Sequence, residues 1–436
     1  MSDTSSSPNT SSDKSNQEKL IAHDLLFHMT EEEIERAKIV ESVLPFLRET
    51  AVQADHDAAF VLSHIEKFKA CGLLGLIVPK EYGGLGGGLR DLTAATYTLG
   101  TACGSTALAF FFHCSSASRG LLALEALENN AFTAEEIPLV EQFATKVLSR
   151  MPQHWMGNFG SESPKSAHST LTIKTTATPA EGGWILNGVK FFGCGTGFAD
   201  YYLVTAKLEG YDTAEGLATF FVPRQAQGVT ERGVWNPIGM RASSSQGIVL
   251  KDVFVPADEA LTIPSAFVTM LQYSRGSFVG NQLASAAGYV GIAKNVYDFA
   301  LEFLLSMRFH DTQELIVKNS SFHQVLIGQM KADLNTAIMW LQRQLELETS
   351  NPPLRPKVEV VEHWRLCKGQ MAEAAFQVAI NALKACGTRN TVNDGVIARA
   401  IRDLSMLLVQ AFPMERGQIE AAKMIINQQE TKTFSV

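Results

Sequence analysis

The sequence is poor in the features that would place it in several common classes. Its six cysteines, at positions 71, 103, 114, 194, 367 and 386, show no paired spacing. That argues against a disulfide framework and against a zinc or other metal site, and it suits thiols kept reduced in a cytosol. No run of Lys or Arg occurs, and a net charge of −8 works against a nucleic-acid surface. No apolar stretch reads as long and clean enough to cross a bilayer. Residues 1–19 have neither the apolar core nor the cleavage pattern of a secretory leader. No internal repeat is visible. These absences predict a cytoplasmic protein with no membrane span and no nucleic-acid partner.

What remains is globular. At 436 residues the chain is long for a single core, and 46% of it is hydrophobic with charges of both signs mixed in, so two or three packed units are expected. Residues 1–21 are mostly polar and predict a disordered tail. Helical periodicity begins at Thr30-Glu31-Glu32-Glu33, with Val40, Val43, Leu44 and Leu47 as the apolar stripe. A second helix is predicted over 58–71, and a third, opened by Asp91, running on through His113. From Met156 to Leu261 the pattern changes to short alternating strands. From about Ile263 it is helical again, interrupted by loops at 309–321 and 348–357. Ala284, Ala287, Gly288 and Gly291 recur at helical spacing and predict a helix packed closely on a neighbour. The sum is an α+β architecture in three blocks: an N-terminal helical domain (22–152), a β-domain (153–262) and a C-terminal helical bundle (263–436).

The densest local signal is 182–206. Trp184, Leu186, Val189 and Phe191 read as strand, Asn187-Gly188 reads as a tight hairpin turn, and Gly193-Cys194-Gly195-Thr196-Gly197 as a glycine-rich exit where backbone can approach something flat. An ordinary β-domain turn would have the same appearance.

Four motifs in order carry a resemblance. They are Gly75–Gly84 (with Pro79, Glu81 and Tyr82), 182–206, Gly239-Met240-Arg241-Ala242-Ser243-Ser244 followed by Asp252-Val253-Phe254-Val255-Pro256, and Arg399-Ala400-Ile401-Arg402-Asp403. Together they resemble the acyl-CoA dehydrogenase superfamily over nearly everything from Ala22 onward. The resemblance implies a flavin, FAD or alternatively FMN, between β-domain and C-terminal bundle, in a homodimer or homotetramer. Protein groups would orient and tune the ring while the flavin carries the redox chemistry. By the match, Phe192 stacks on the ring, Cys194 and Gly195 lie at its edge, and Ser161 is the hydroxyl of a second flavin-facing turn, whose usual glycines are replaced by Pro164–His168. Arg308 and Gln324 stand near the positions that hold the dinucleotide pyrophosphate, although sixteen residues separate them. Gly387 and Arg389 stand where a glycine-rich turn cradles the adenosine end. Phe192 and Cys194 could also be core residues, Ser161 a turn residue and Arg389 a surface residue.

The family's dehydrogenases place a catalytic glutamate eight residues after the Arg-Asp pair. Here that position is Ala411, which cannot accept a proton, and the alternative position near Asn281-Gln282 is not acidic either. Glu415, the nearest carboxylate, reads more simply as an exposed helix-start acid. A flavin-dependent monooxygenase branch of the superfamily needs no such base, takes reduced flavin from a separate reductase and oxygenates its substrate with O2. Phe192-Gly193-Cys194-Gly195 is closer to that branch, and His113 falls where some of its members keep a histidine facing the flavin, although it reads as readily as core. The branch also tends to carry His-Asp where this chain has Gln410-Ala411. The sequence therefore predicts a flavin-dependent oxidoreductase, with oxidation of the Cα–Cβ bond of an acyl thioester first, oxygenation of a small molecule second and a non-catalytic member third. The implied partner is an electron-transfer flavoprotein or a flavin reductase.

Overall fold

The computed structural model describes residues 19–162, 173–276 and 282–433. Leu20 is buried and a 3₁₀ turn spans Ile21–Asp24, so the fold begins slightly inside the segment expected to be tail.

Six helices form the N-terminal block: α1 (Glu31–Ser42), α2 (Leu44–Asp57), α3 (Ser63–Ala70), α4 (Leu89–Gly100), α5 (Gly104–Glu128) and α6 (Ile137–Arg150). Thr30 and Glu33 form a reciprocal capping box at the start of α1, as its sequence implies. The predicted stripe of Val40, Val43, Leu44 and Leu47 is buried, although the chain breaks into two helices at Val43. The helix expected over 58–71 is only Ser63–Ala70, because Ala58 turns left-handed (φ 51°) to end α2. The segment opened by Asp91 is likewise two helices, α4 and α5. Asp91 accepts from the Gly88 amide and from buried Arg36 at 2.6 Å. Among the described residues α5 is long and apolar enough to cross a membrane, which the reading of the sequence did not find; 83% of its apolar window is buried inside this fold.

Among the described residues eight strands follow: β1 (Met156–Phe159), β2 (Thr176–Ala180), β3 (Gly183–Lys190), β4 (Tyr201–Leu208), β5 (Leu217–Pro223), β6 (Val229–Glu231), β7 (Ile248–Pro256) and β8 (Ala260–Leu261). They make one sheet in the order β6-β7-β3-β2-β4-β5-β8, with β1 parallel to β4. The hairpin is not where the sequence suggests. β2 and β3 turn at Glu181-Gly182, and Asn187-Gly188 lies inside β3, where Asn187 faces a bulge at Lys251-Asp252 of β7. The reason is a cross-strand pair. Asn187 Nδ2 donates to Asp252 Oδ1 (3.1 Å), its Oδ1 accepts from the Asp252 amide (2.9 Å), and Asp252 takes the left-handed conformation instead.

The C-terminal block contains α7 (Ala266–Leu271), α8 (Gln282–Ser306), α9 (Ile316–Asn319), α10 (Ser321–Thr349), α11 (Lys357–Cys386), α12 (Val396–Val409) and α13 (Met414–Thr433). The small-residue stripe of α8 packs against α4 of the same chain. A Cβ on Gly291 would lie 2.0 Å from Tyr97 O, and one on Gly100 would lie 2.1 Å from Gly288 O. Thr96 Oγ1 donates to Ala284 O at 2.6 Å across the same contact. The stripe is therefore used within the chain and is not left free for a subunit interface.

The three blocks are joined by the Arg402-Asp403 pair on α12. Arg402 holds Asp55 of α2 through Nη1 and Nη2 (3.0 and 2.5 Å), and Asp403 accepts from the Met240 amide at 2.6 Å. Burial pushes the Asp403 carboxyl up to about 6.

Candidate active site

A cavity of about 660 Å³ lies where α5, α8, α11, the end of α12 and the open edge of the β-domain meet. This is within the range of small-molecule sites. Each wall follows from local sequence. Leu108, Phe111, Phe112, Ser115 and Arg119 form one face of α5 at helical spacing. The β-domain contributes Asn158, Gly160 and Ser161 after β1, Phe192 and Cys194 after β3, and Trp235, Met240, Ser243 and Ser245 from the loop before β7. The C-terminal bundle supplies Ser285 and Tyr289 of α8, Trp364 and Lys368 of α11, and Gln410 and Ala411 beyond α12.

Three lining residues hold the left-handed backbone that L-residues avoid: Phe192 (φ 54°), Met240 (53°) and Ala411 (63°). Such strain collects where neighbours impose it, commonly at functional sites. Phe192 is also 66% exposed, a ring held outward over the cavity.

The polar lining is organised into chains. Cys194 Sγ lies 2.7 Å from Ser245 Oγ, which lies 2.9 Å from Ser243 Oγ. Burial pushes the Cys194 thiol up to about 12, so it stays neutral. Tyr289 donates to Gln410 Oε1, and Gln410 Nε2 donates to Ser285 Oγ at 2.9 Å. Lys368 donates to Leu407 O (2.6 Å), Leu408 O (3.4 Å) and Phe412 O (2.5 Å), capping the open carbonyls of α12. Burial lowers its ammonium to about 8. No Asp or Glu lines the cavity among the described residues. The internal segments 163–172 and 277–281, outside the description, contain none either.

The acyl-CoA dehydrogenase N-terminal, middle and C-terminal domain models match residues 30–125, 159–253 and 283–412. The chain belongs to the acyl-CoA dehydrogenase superfamily. Dibenzothiophene monooxygenase of Rhodococcus qingshengii is 32% identical over 262 residues, 59% of this chain and 59% of that protein. The match to these monooxygenases thus spans well under two thirds of their length. Mitochondrial isovaleryl-CoA dehydrogenase of Oryza sativa subsp. japonica is 25% identical over 94% of this chain and 93% of that one. A crystal structure of KijD3 in complex with FMN and dTDP-3-amino-2,3,6-trideoxy-4-keto-3-methyl-D-glucose superposes with a TM-score of 0.74 at 22% identity, covering 94% of this chain and 96% of that chain.

Of the residues that membership in the superfamily singles out, the fold gathers Ser161, Phe192, Cys194 and Ala411 around one cavity. Gly195 is beside it but does not line it. The cramped backbone of this turn faces inward: a Cβ on Gly193 would meet the Phe159 ring at 2.1 Å, and one on Gly195 (φ 94°) would meet Ala199 at 3.2 Å. His113 is wholly buried and committed on both nitrogens. Its Nδ1 accepts from the Met156 amide (2.9 Å), so Nε2 carries the hydrogen donated to Leu74 O (2.8 Å), and neither reaches the cavity. Burial lowers its pKa to about 4, fixing this neutral tautomer. Glu415 is exposed on α13, away from the lining.

Arg308, Gln324, Gly387 and Arg389 are exposed and do not line the cavity of their own chain. Gln324 Nε2 is spent on Val317 O and Lys318 O (2.9 and 3.1 Å), and Gly387 (φ 69°) ends α11. Pro164–His168 and Asn281 lie outside the described residues.

The residues present fit a flavin ring. An outward aromatic at Phe192 stands beside hydroxyl and thiol donors at Ser161, Ser243, Ser245 and Cys194, in a cavity of suitable size. Reading the sequence missed Arg119, Lys368, Tyr289 and Trp364. The signal was present for the two cations, since Arg119 is in phase with Leu108, Phe111, Phe112 and Ser115, and Lys368 with Trp364, Met371 and Ala375.

Proposed function

We propose that this chain is a flavin-dependent monooxygenase that receives reduced flavin, FMN or FAD, from a separate reductase. One observation carries the reading: among the described residues the cavity wall has no carboxylate, and Ala411 stands where the dehydrogenases of the superfamily keep their base. Removing an α-proton from a thioester requires a base within hydrogen-bond reach, and a positioned one contributes roughly 10²–10⁴ in rate. The other ionisable groups of the wall are unsuited to that task. Lys368 spends its ammonium hydrogens on the Leu407, Leu408 and Phe412 carbonyls, Arg119 is a cation, and burial raises the Tyr289 hydroxyl far above its ordinary value. The sequence placed dehydrogenation ahead of oxygenation, and the composition of the described wall favours the opposite order.

Reduced flavin, when bound, supplies the two electrons that split O2, one oxygen atom entering the substrate and the other leaving as water. The chain's part is to hold and shield. Phe192 offers a face for the ring, and Ser243, Ser245 and Cys194 offer donors at its edge. Phe111, Phe112, Trp235 and Trp364 make a wall that excludes water, a condition under which fixed dipoles act more strongly.

The test is rapid mixing of the protein carrying dithionite-reduced FMN with O2. The reading requires a transient spectrum distinct from both oxidised and reduced flavin. Direct return to the oxidised spectrum, at the rate of free FMN, would count against it.

A further inference from the structure

The cavity wall contains a positive charge that no carboxylate among the described residues answers. Arg119 of α5 is 6% exposed and lines the cavity, yet its Nε and Nη1 have no hydrogen-bond partner. Its one bond is a long contact from Nη2 to Thr205 Oγ1 at 3.4 Å, and its flat face lies 4.5 Å over the Phe267 ring. The buried carboxylate on the other side of Thr205 is already engaged: Glu162 holds Lys190 at 2.6 Å, and Lys190 also donates to Thr205 O. Desolvation lowers the Arg119 guanidinium only to about 10, so it is charged at neutral pH.

A buried guanidinium with two unmatched nitrogens is destabilising unless acceptors arrive from elsewhere. Its planar fork, formed by Nη2 with either Nε or Nη1, is matched best by a planar oxyanion, bound through two parallel hydrogen bonds. The surroundings agree in charge and shape. The described wall carries two cations, Arg119 and Lys368, and no anion, and it is rich in aromatic rings. Arg119 is also far along the cavity. It lies eleven residues from Leu108 on the same helix face, about 16 Å, whereas the loop carrying Ser243 and Ser245 packs at the other end of α5, where Ser105 Oγ accepts from the Ala242 amide at 3.2 Å.

We propose that Arg119 receives a carboxylate of the substrate, so that the cavity takes a flat aromatic acid lying along α5. This inference rests on reading the cavity as a substrate site. A flavin phosphate offers similar oxyanion chemistry, and the experiment separates the two sources. The full-length protein loaded with oxidised FMN is titrated calorimetrically with 2-naphthoate and with 2-naphthamide, as wild type, Arg119→Met and Arg119→Lys. Affinities for FMN and riboflavin are measured on each variant alongside.

Wild type should prefer the acid over the amide by tenfold or more. Arg119→Met should abolish the preference, Arg119→Lys should keep part of it, and the FMN to riboflavin ratio should not change. Equal binding of acid and amide to wild type, or a preference that survives Arg119→Met, would overturn the proposal. So would a loss of FMN affinity without loss of riboflavin affinity, which would assign Arg119 to the flavin phosphate. Arg119→Lys keeps the charge and loses the fork, so it carries the test if the methionine variant does not fold. None of these titrations uses O2. A protein that binds the acid through Arg119 but fails the oxygen test would therefore lose the proposed reaction and keep this site.

Discussion

His113 shows how little a residue type says without its neighbours. It lies after three phenylalanines, and a histidine there reads equally as a flavin contact or as core. The fold decides, because the Met156 amide and Leu74 carbonyl take both ring nitrogens and leave none for a ligand. That arrangement requires the neutral ring, and it makes a pH prediction. The folded pKa, about 4, is below the unfolded value near 6.5. The unfolded chain therefore binds the extra proton first as pH falls, and His113's contribution is present above about 6.5 and lost on the way down to 4. At pH 5 the loss amounts to about 2 kcal/mol. Urea unfolding of wild type and His113→Gln should show the cost of the substitution shrinking by about that amount between pH 7 and pH 5. A cost that stays constant would mean that the histidine is not held neutral. The same contrast separates Ala411 from Glu415. The alanine is on the cavity wall in a strained backbone, and the glutamate is on a solvated helix start, so proximity in sequence was a poor guide to which one faces the site.

At the scale of elements, the clearest reading was the small-residue stripe of α8, and the least clear was the partner it would choose. Ala284, Ala287, Gly288 and Gly291 announce a close helix contact, and spacing alone cannot say whether the other helix belongs to the same chain. The partner is α4, with backbone so near that a side chain at Gly291 has no room. Gly291→Ala should therefore destabilise by more than the ~1–3 kcal/mol typical of overpacking, since backbone cannot move aside as a side chain can. Thermal unfolding of Gly291→Ala and of Gly328→Ala would check this, because Gly328 has nothing within 4 Å of a built Cβ and should tolerate the change. Equal melting temperatures would contradict the packing. The Asn187-Gly188 reading failed for a related reason. A dipeptide that suits a hairpin turn can also sit inside a strand opposite a bulge, and the choice was made by Asp252, sixty-five positions away in the sequence.

For the molecule as a whole, the helix–sheet–helix order was legible because periodicity changes sharply near Met156 and Leu261, where the first and last strands stand. The site was legible only in part. Ser161, Phe192, Cys194 and Ala411 could be found because they belong to continuous motifs, and they do converge. Arg119, Tyr289, Trp364 and Lys368 come from separate helices, and only packing brings them to one cavity. Their chemistry bears on the reading, since among the described residues the wall carries cations and no carboxylate. The claim that follows, that this member of the superfamily does not take an α-proton from a thioester, has a direct test. The flavin-loaded protein is titrated under argon with acyl-CoA thioesters of short, branched, aromatic and long chains while the flavin absorbance is followed. The account predicts no bleaching by any of them; bleaching that grows with thioester concentration would show that a base is present after all and return the chain to the dehydrogenases.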